Sequence, residues 1–242
     1  SINAVVEWNA FAQEFLQPMP DPNMPMASGD ISMSAAFVYL AYVQAAVYDA
    51  LVSIEGGYTP YKSGLVPVSP TANRDAAVAA AAYNVLLHYF PARQAELQSK
   101  YDGWMAMLPP LTDPDMIAGR QAGEAAAAGI ITLRTNDGLL DPAVTYTVLP
   151  PDLGVWQPTM PAPAMDPWMA ELKPFLRTDP EQYRPVPPPD TNDPAYLDDL
   201  TEVREVGGTV SALRTPEQTA VAQFWTTNMV IQTNAAYRQI AD

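Results

Sequence analysis

Ser34-Ala-Ala-Phe-Val-Tyr-Leu-Ala-Tyr-Val-Gln-Ala-Ala-Val-Tyr-Asp-Ala-Leu-Val52 is the stretch that decides the fold class. Its apolar side chains (Phe37, Val38, Leu40, Val43, Val47 and Leu51 among them) cover all sides of a helix, and such a helix belongs at the centre of a bundle. Ser32 or Ser34 can cap its start, and Gly56-Gly57 stops it after Ile54. Gln44 and Asp49 interrupt the apolar run, so it falls short of the ~20 clean residues of a membrane span.

Working outward, three-to-four spacing recurs on both sides. Ile2, Val5, Val6, Trp8, Ala12, Phe15 and Leu16 predict a first helix that ends at Gln17-Pro18. Thr71 or Asn73 caps a third, whose alanines (Ala76, Ala77, Ala79 to Ala82) permit close approach to a neighbour, and Phe90-Pro91 ends it. A fourth is expected over 92–108. Asp113-Pro114 opens a fifth, with proline in the first turn where its absent N–H is harmless. Gly119, Gly123, Ala125 to Ala128 and Gly129 give that helix a small-residue face able to sit tightly on another backbone. A short helix is expected over 194–207. The last runs from Thr215 through Gln239, with Thr215 and Gln218 spaced as a capping box.

Residues 139–194 differ in texture. They hold Pro187-Pro188-Pro189 and the aromatics Trp156, Trp168, Phe175 and Tyr183, with no clear period. A stretch of this length is normally functional, a linker, or wrapped on the body, and its aromatics favour wrapping. The reading is an all-α protein, a roughly seven-helix bundle with a long Pro/Trp-rich irregular wrap. It predicts a single helical domain over 1–242: a bundle over 1–138, the wrap over 139–194 and closing helices over 195–242. Ser1 in place of methionine and a last helix without a stop signal lead us to expect the processed N-terminal part of a longer, exported chain, secreted or periplasmic.

Composition removes several functions. The chain of 242 residues carries 12 Lys+Arg against 27 Asp+Glu, a formal net charge of −15, with one His and no Cys. Absence of cysteine excludes disulfides, thiolate zinc sites, iron–sulfur clusters and a Cys nucleophile. One imidazole excludes a His-pair metal site within the chain. Acidity without a basic block argues against nucleic acid and anionic membrane as partners. At 48% apolar, the chain is not an acidic disordered segment.

The remaining constellations read as structural. His88, at a helix end among apolar neighbours, is expected to pack or cap rather than catalyse. Asp190, Asp193, Asp198, Asp199, Glu202 and Glu205 read as a solvated acidic face, for they lack the loop spacing of a calcium site. Arg120 and Glu124 are i,i+4 partners in a buried or half-buried ion pair. The five tryptophans read as core and interface anchors before they read as a ligand platform. A hydrolase built on an Asp/Glu pair would need two carboxylates facing one cleft.

One ordered series of motifs goes further. Glu7-Trp8-Asn9-Ala10, Ala46-Val47-Tyr48-Asp49-Ala50, Gly57-Tyr58-Thr59-Pro60-Tyr61 and Arg134-Thr-Asn-Asp137-Gly138 come first. Gly154-Val-Trp156-Gln157-Pro158-Thr159, Lys173-Pro174-Phe175, Tyr183-Arg184-Pro185, Arg214-Thr-Pro-Glu217-Gln218-Thr and Phe224-Trp225 follow. The series resembles the N-terminal helical half of exported bacterial proteins related to vanadium-dependent haloperoxidases, which belong with the type 2 phosphatidic acid phosphatases. The resemblance implies an all-α protein whose intact form oxidises halide with peroxide or hydrolyses phosphate esters at an oxyanion site.

In such proteins the chemistry lies in a later block: a Lys and Arg-Pro motif, a Pro-Ser-Gly-His motif, and an Arg with a further His. None has a counterpart here, and Arg177-x6-Arg184-Pro185 mimics the spacing of the first by coincidence. No catalytic, cofactor-binding or metal-ligating residue is carried over, and this chain alone is expected to be inactive. Vanadate would bind only with the missing C-terminal half. That half or another subunit is the expected partner, and a homo-oligomer is expected. The alternative is a non-catalytic exported structural or assembly protein that self-associates through its apolar terminal helix.

Overall fold

The computed structural model describes residues 3–16, 31–158, 164–179 and 181–226. Among them are seven α-helices and no strand: α1 (Ala4–Phe15), α2 (Met33–Glu55), α3 (Arg74–Tyr89), α4 (Gln94–Met105), α5 (Pro114–Arg134), α6 (Pro194–Val206) and α7 (Pro216–Thr226). Single 3₁₀ turns occupy Pro91–Arg93 and Pro167–Ala170. The fold is all-α. Expectations for the last helix beyond Thr226 lie outside the described residues.

Short polar side chains set the helix starts. Asn3 accepts from the backbone N–H of Val5 and Val6 at 3.0 and 3.3 Å, Ser32 from Ala35 at 3.2 Å, and Asn73 from Ala76 at 2.9 Å. Asp113 and Asp193 do the same for α5 and α6, each with proline in the first turn. These bonds satisfy N–H groups that the helix itself leaves orphaned. Thr215 and Gln218 form the reciprocal box: Gln218 N–H donates to Thr215 Oγ1 at 3.2 Å, and Thr215 N–H donates to Gln218 Oε1 at 2.9 Å. α4 is shorter than its sequence pattern. Pro91 turns its first residues into the 3₁₀ turn. Pro109 disfavours the helical basin at Leu108, and Met107 and Leu108 bond three residues back.

The chain divides into two compact units, with the boundary between Leu139 and Leu140. In the first, α3 packs against α1, α2, α4 and α5, and α2 also packs against α1 and α5. The innermost helix is therefore α3, not the all-round apolar α2. Ten of the sixteen α3 residues are buried, six of them alanines, whereas α2 leaves Phe37 and Tyr48 partly exposed. Small side chains let α3 take more neighbours. By length and apolarity α2 is the one helix among the described residues that could cross a membrane, and here its buried side serves the bundle.

The α3–α5 seam is set by backbone. A Cβ on Gly119 would lie 2.1 Å from the Asn73 carbonyl oxygen, and one on Gly123 would lie 2.2 Å from that of Ala77. Only hydrogen fits at either position.

In the second unit, α6 and α7 are joined by a loop, and the irregular stretch from Leu140 to Asp193 has no strand among its described residues. Trp168, 5% exposed, is this unit's one buried apolar side chain among the described residues.

Candidate functional site

Asp49 is a carboxylate in the middle of an apolar helix, and it is fully buried. α2 aims it at the loop that follows: Tyr61 N–H donates to Oδ1 at 2.6 Å and Lys62 N–H to Oδ2 at 2.9 Å. Tyr48 Oη, one residue earlier, donates to the Thr59 carbonyl at 3.0 Å. Gly56 and Gly57, both at positive φ, let the chain reverse into this position. Burial pushes the Asp49 carboxyl above its ordinary value, against the two N–H bonds that favour its charge. The Tyr48-Asp49 and Gly57-to-Tyr61 motifs are therefore two halves of one joint.

A second joint closes the end of α5. Arg134 and Asp137 form an ion pair at 2.7 Å with side chains 1% and 3% exposed. Tyr42 Oη, from α2, donates to Asp137 Oδ2 at 2.5 Å, and Leu139 N–H donates to Oδ1 at 3.1 Å. The Arg134 guanidinium lies 5.4 Å from the centre of the Tyr42 ring. Asn136 and Gly138 take positive φ on either side of Asp137, which turns its carboxylate back on Arg134. Burial, then the Asp137 hydrogen bond and charge, raise the Tyr42 phenol far above its usual range. Tyr39 and Tyr89, beside it, are raised as well, first by burial and then by Asp137; Tyr89 reaches about 12. Such phenols hold their protons and do no acid–base work near neutral pH.

Two more motifs of the series have the same character. Trp8 is wholly buried, and Asn9 accepts from Gln44 Nε2 at 2.7 Å, which ties α1 to α2. The Arg214 guanidinium donates to the carbonyls of Val206 (2.9 Å), Gly208 (2.6 Å) and Thr209 (3.2 Å), and its Nε donates to Thr219 Oγ1 at 3.2 Å. One side chain thus collects the loose carbonyls behind α6 and links them to α7.

The described arginines of the first unit are each paired with a carboxylate. Arg74 pairs with Glu55, Arg93 with Glu96 at 2.8 Å, Arg120 with Glu124 at 3.0 Å and Arg134 with Asp137. Arg93 also lies 3.4 Å above the Phe15 ring and donates to the Phe15 carbonyl. Lys62 donates to the Ser63 carbonyl, and Lys100 lies over the Phe11 and Trp8 rings. Arg120–Glu124 is half-buried. His88 is exposed in the last turn of α3, edge-on to Tyr89 at 4.8 Å.

A vanadate or phosphate needs several convergent donors to offset its desolvation. Among the described residues, the arginines of this unit are instead distributed one to a carboxylate, an arrangement that does not fit that group. Compared with known proteins, the chain matches no family model, no curated protein and no solved structure.

The second unit holds a cleft of about 480 Å³ lined by Met169, Leu172, Pro174, Phe175, Leu176 and Arg177. Arg177 turns to the Tyr183 ring, 5.8 Å away, and Arg184 pairs with Glu181, so the two arginines of the mimicked spacing take separate partners. The acidic run is exposed throughout. Asp190 and Asp193 accept backbone N–H bonds in turns, and among the described residues no three His, Cys, Asp or Glu side chains gather as a metal site.

Asp49, Arg134, Asp137 and Arg214 stand within the quoted motifs, and the sequence alone assigns them no role. The signal that could have found Asp49 is its charge inside an apolar helix. Tyr42 and Asp137 lie 95 residues apart, and no local pattern joins them.

Proposed function

We propose that the chain is the helical scaffold portion of an exported protein of the vanadium-dependent haloperoxidase and type 2 phosphatidic acid phosphatase kind, with the oxyanion-binding motifs outside it. The observation that carries this reading is what the first-unit motifs and the Arg214 motif of the series do. Asp49 with its loop, Tyr42 with Arg134 and Asp137, and Arg214 with the Thr215–Gln218 box all work as joints, and none leaves a reactive group facing a cleft. The pairing of Arg74, Arg93, Arg120 and Arg134, the described arginines of the first unit, with one carboxylate each supports it further. A scaffold of this kind surrounds and shapes a catalytic bundle, and its oxyanion pocket is supplied from elsewhere.

Titration of the chain with vanadate and with phosphate, followed by calorimetry, is expected to give no saturable heat. Saturable binding by this polypeptide alone would overturn the reading. The intact mass of the source protein separates the two architectures: a value near 26.3 kDa favours assembly, and a substantially larger one favours a scaffold joined to a catalytic part.

Self-association through α7 is the second reading, and one observation favours it. Phe224 and Trp225 stand 57% and 67% exposed, edge-on at 5.3 Å, and adjoining exposed rings of this size are typical of contact surfaces. Sedimentation of the chain and of Trp225→Asp tests it: a dimer that the substitution dissolves is the expected result, and a monomer at all concentrations removes the reading.

A further inference from the structure

Residues 183–190, Tyr-Arg-Pro-Val-Pro-Pro-Pro-Asp, are exposed without exception, Val186 to 86%. The chain has little choice of conformation here. Each proline fixes its own φ near −65°, and Arg184, Val186, Pro187 and Pro188 each precede a proline, which disfavours the helical basin for them. Four of the six residues 184–189 are thereby steered to the extended basin and the prolines at 185 and 189 have their φ fixed, which favours polyproline II and agrees with the lack of helix or strand over the segment.

That helix repeats every three residues and rises about 3.1 Å per residue. Pro185 and Pro188 therefore share one edge, Val186 and Pro189 the next, and Arg184 and Pro187 the third. Two apolar edges lie side by side. A cation stands at one end of the strap and the Asp190 carboxylate at the other.

The strap is held out at both ends. Before it, Glu181 N–H donates to Asp179 Oδ1 at 2.8 Å and Arg184 N–H to the Glu181 carbonyl at 2.9 Å. After it, Asp190 Oδ1 accepts from Asn192 N–H at 2.9 Å, and Asp193 caps α6. Between these turns, the carbonyls of 185–189 accept no bond among the described residues.

We propose that residues 184–189 are a docking strap for a protein module whose groove is lined by aromatic rings. Such grooves read polyproline II ligands through paired apolar edges and through donors to the free carbonyls, and a preformed strap loses little conformational entropy on binding. The groove carries a carboxylate that takes Arg184. The present Arg184–Glu181 pair is exposed on both sides, and surface pairs of that kind are weak enough to exchange. The opposite charges at Arg184 and Asp190 fix the direction in which the groove reads the strap.

The inference is independent of the scaffold reading, and so is its test. The full chain is passed over immobilised polyproline-reading domains of the SH3, WW and EVH1 kinds by surface plasmon resonance. At least one domain is expected to bind it saturably, with competition by a synthetic peptide of residues 181–192. Pro185→Ala with Pro188→Ala is expected to weaken that binding at least tenfold, and Arg184→Ala severalfold, most at low salt. None of these side chains is buried, so circular dichroism and Tm stay unchanged in the variants. A silent panel, binding that survives the double substitution, or failure of the peptide to compete would make the strap a stiff spacer and overturn the proposal.

Discussion

At the scale of the residue, the buried Arg134–Asp137 pair with Tyr42 is the costliest point to disturb. Removing one member of a buried pair leaves an uncompensated charge, which destabilises a fold by about 3–5 kcal/mol. Asp137→Ala is expected to lower stability by that amount, and Tyr42→Phe by about 1–3 kcal/mol because Asp137 loses a donor. Urea unfolding of both singles and the double checks this: the double should lose less than the sum, since the Tyr42 hydrogen bond exists only while Asp137 does. Additive losses would mean that the three side chains do not act together. Local chemistry was legible here in part. Asn73, Asp113 and Thr215 announce themselves as caps because a cap acts within three residues. Asp137 receives its partner from a helix 95 positions away, and only the assembled bundle brings Tyr42 to it.

At the scale of the element, the α3–α5 seam makes two glycines differ in sign. Gly103 in α4 has open space where a Cβ would stand, so Gly103→Ala should stabilise by about 0.5–1 kcal/mol through helix propensity. At Gly123 the added methyl meets Ala77 O, Ala80 Cβ at 2.8 Å and Ala81 N at 2.8 Å, most of it backbone that cannot turn aside. Gly123→Ala should therefore lower stability by about 1–3 kcal/mol despite the same propensity gain. Thermal unfolding is the measurement, with Tm rising in the first variant and falling in the second. The small-residue face of α5 was visible in the sequence and so was the alanine run of α3. That α3 rather than α2 is innermost was not, because apolarity ranks how much a helix gains from burial. The number of neighbours it can accept depends on how close they come, and alanine wins that comparison.

At the scale of the whole molecule, the raised phenols govern behaviour in alkali. Tyr39, Tyr42, Tyr83, Tyr89 and Tyr101 all lie above the ordinary value, with burial as the leading cause. An unfolded chain loses these protons near pH 10 while the native state keeps them. The native state then binds more protons, so their contribution is complete below about pH 10 and falls as pH rises beyond it. Absorbance at 295 nm should show late phenol ionisation that coincides with loss of helix by circular dichroism. Phenols that all ionise early, with the helices intact, would contradict the buried cluster.

The all-α class followed from periodicity over a dozen residues at a time. The division at Leu139 coincides with a change of texture that the prolines and lost period already marked. The unequal burial on its two sides required the folded chain. The alanine-built centre of the first unit carries one more consequence. Alanine and glycine have no rotamers to freeze, so joining α3 to α5 forfeits almost no side-chain entropy, and this centre has one arrangement where a leucine core would sample several. Methyl relaxation by NMR should find Ala77, Ala80 and Ala81 as still as the backbone that bears them.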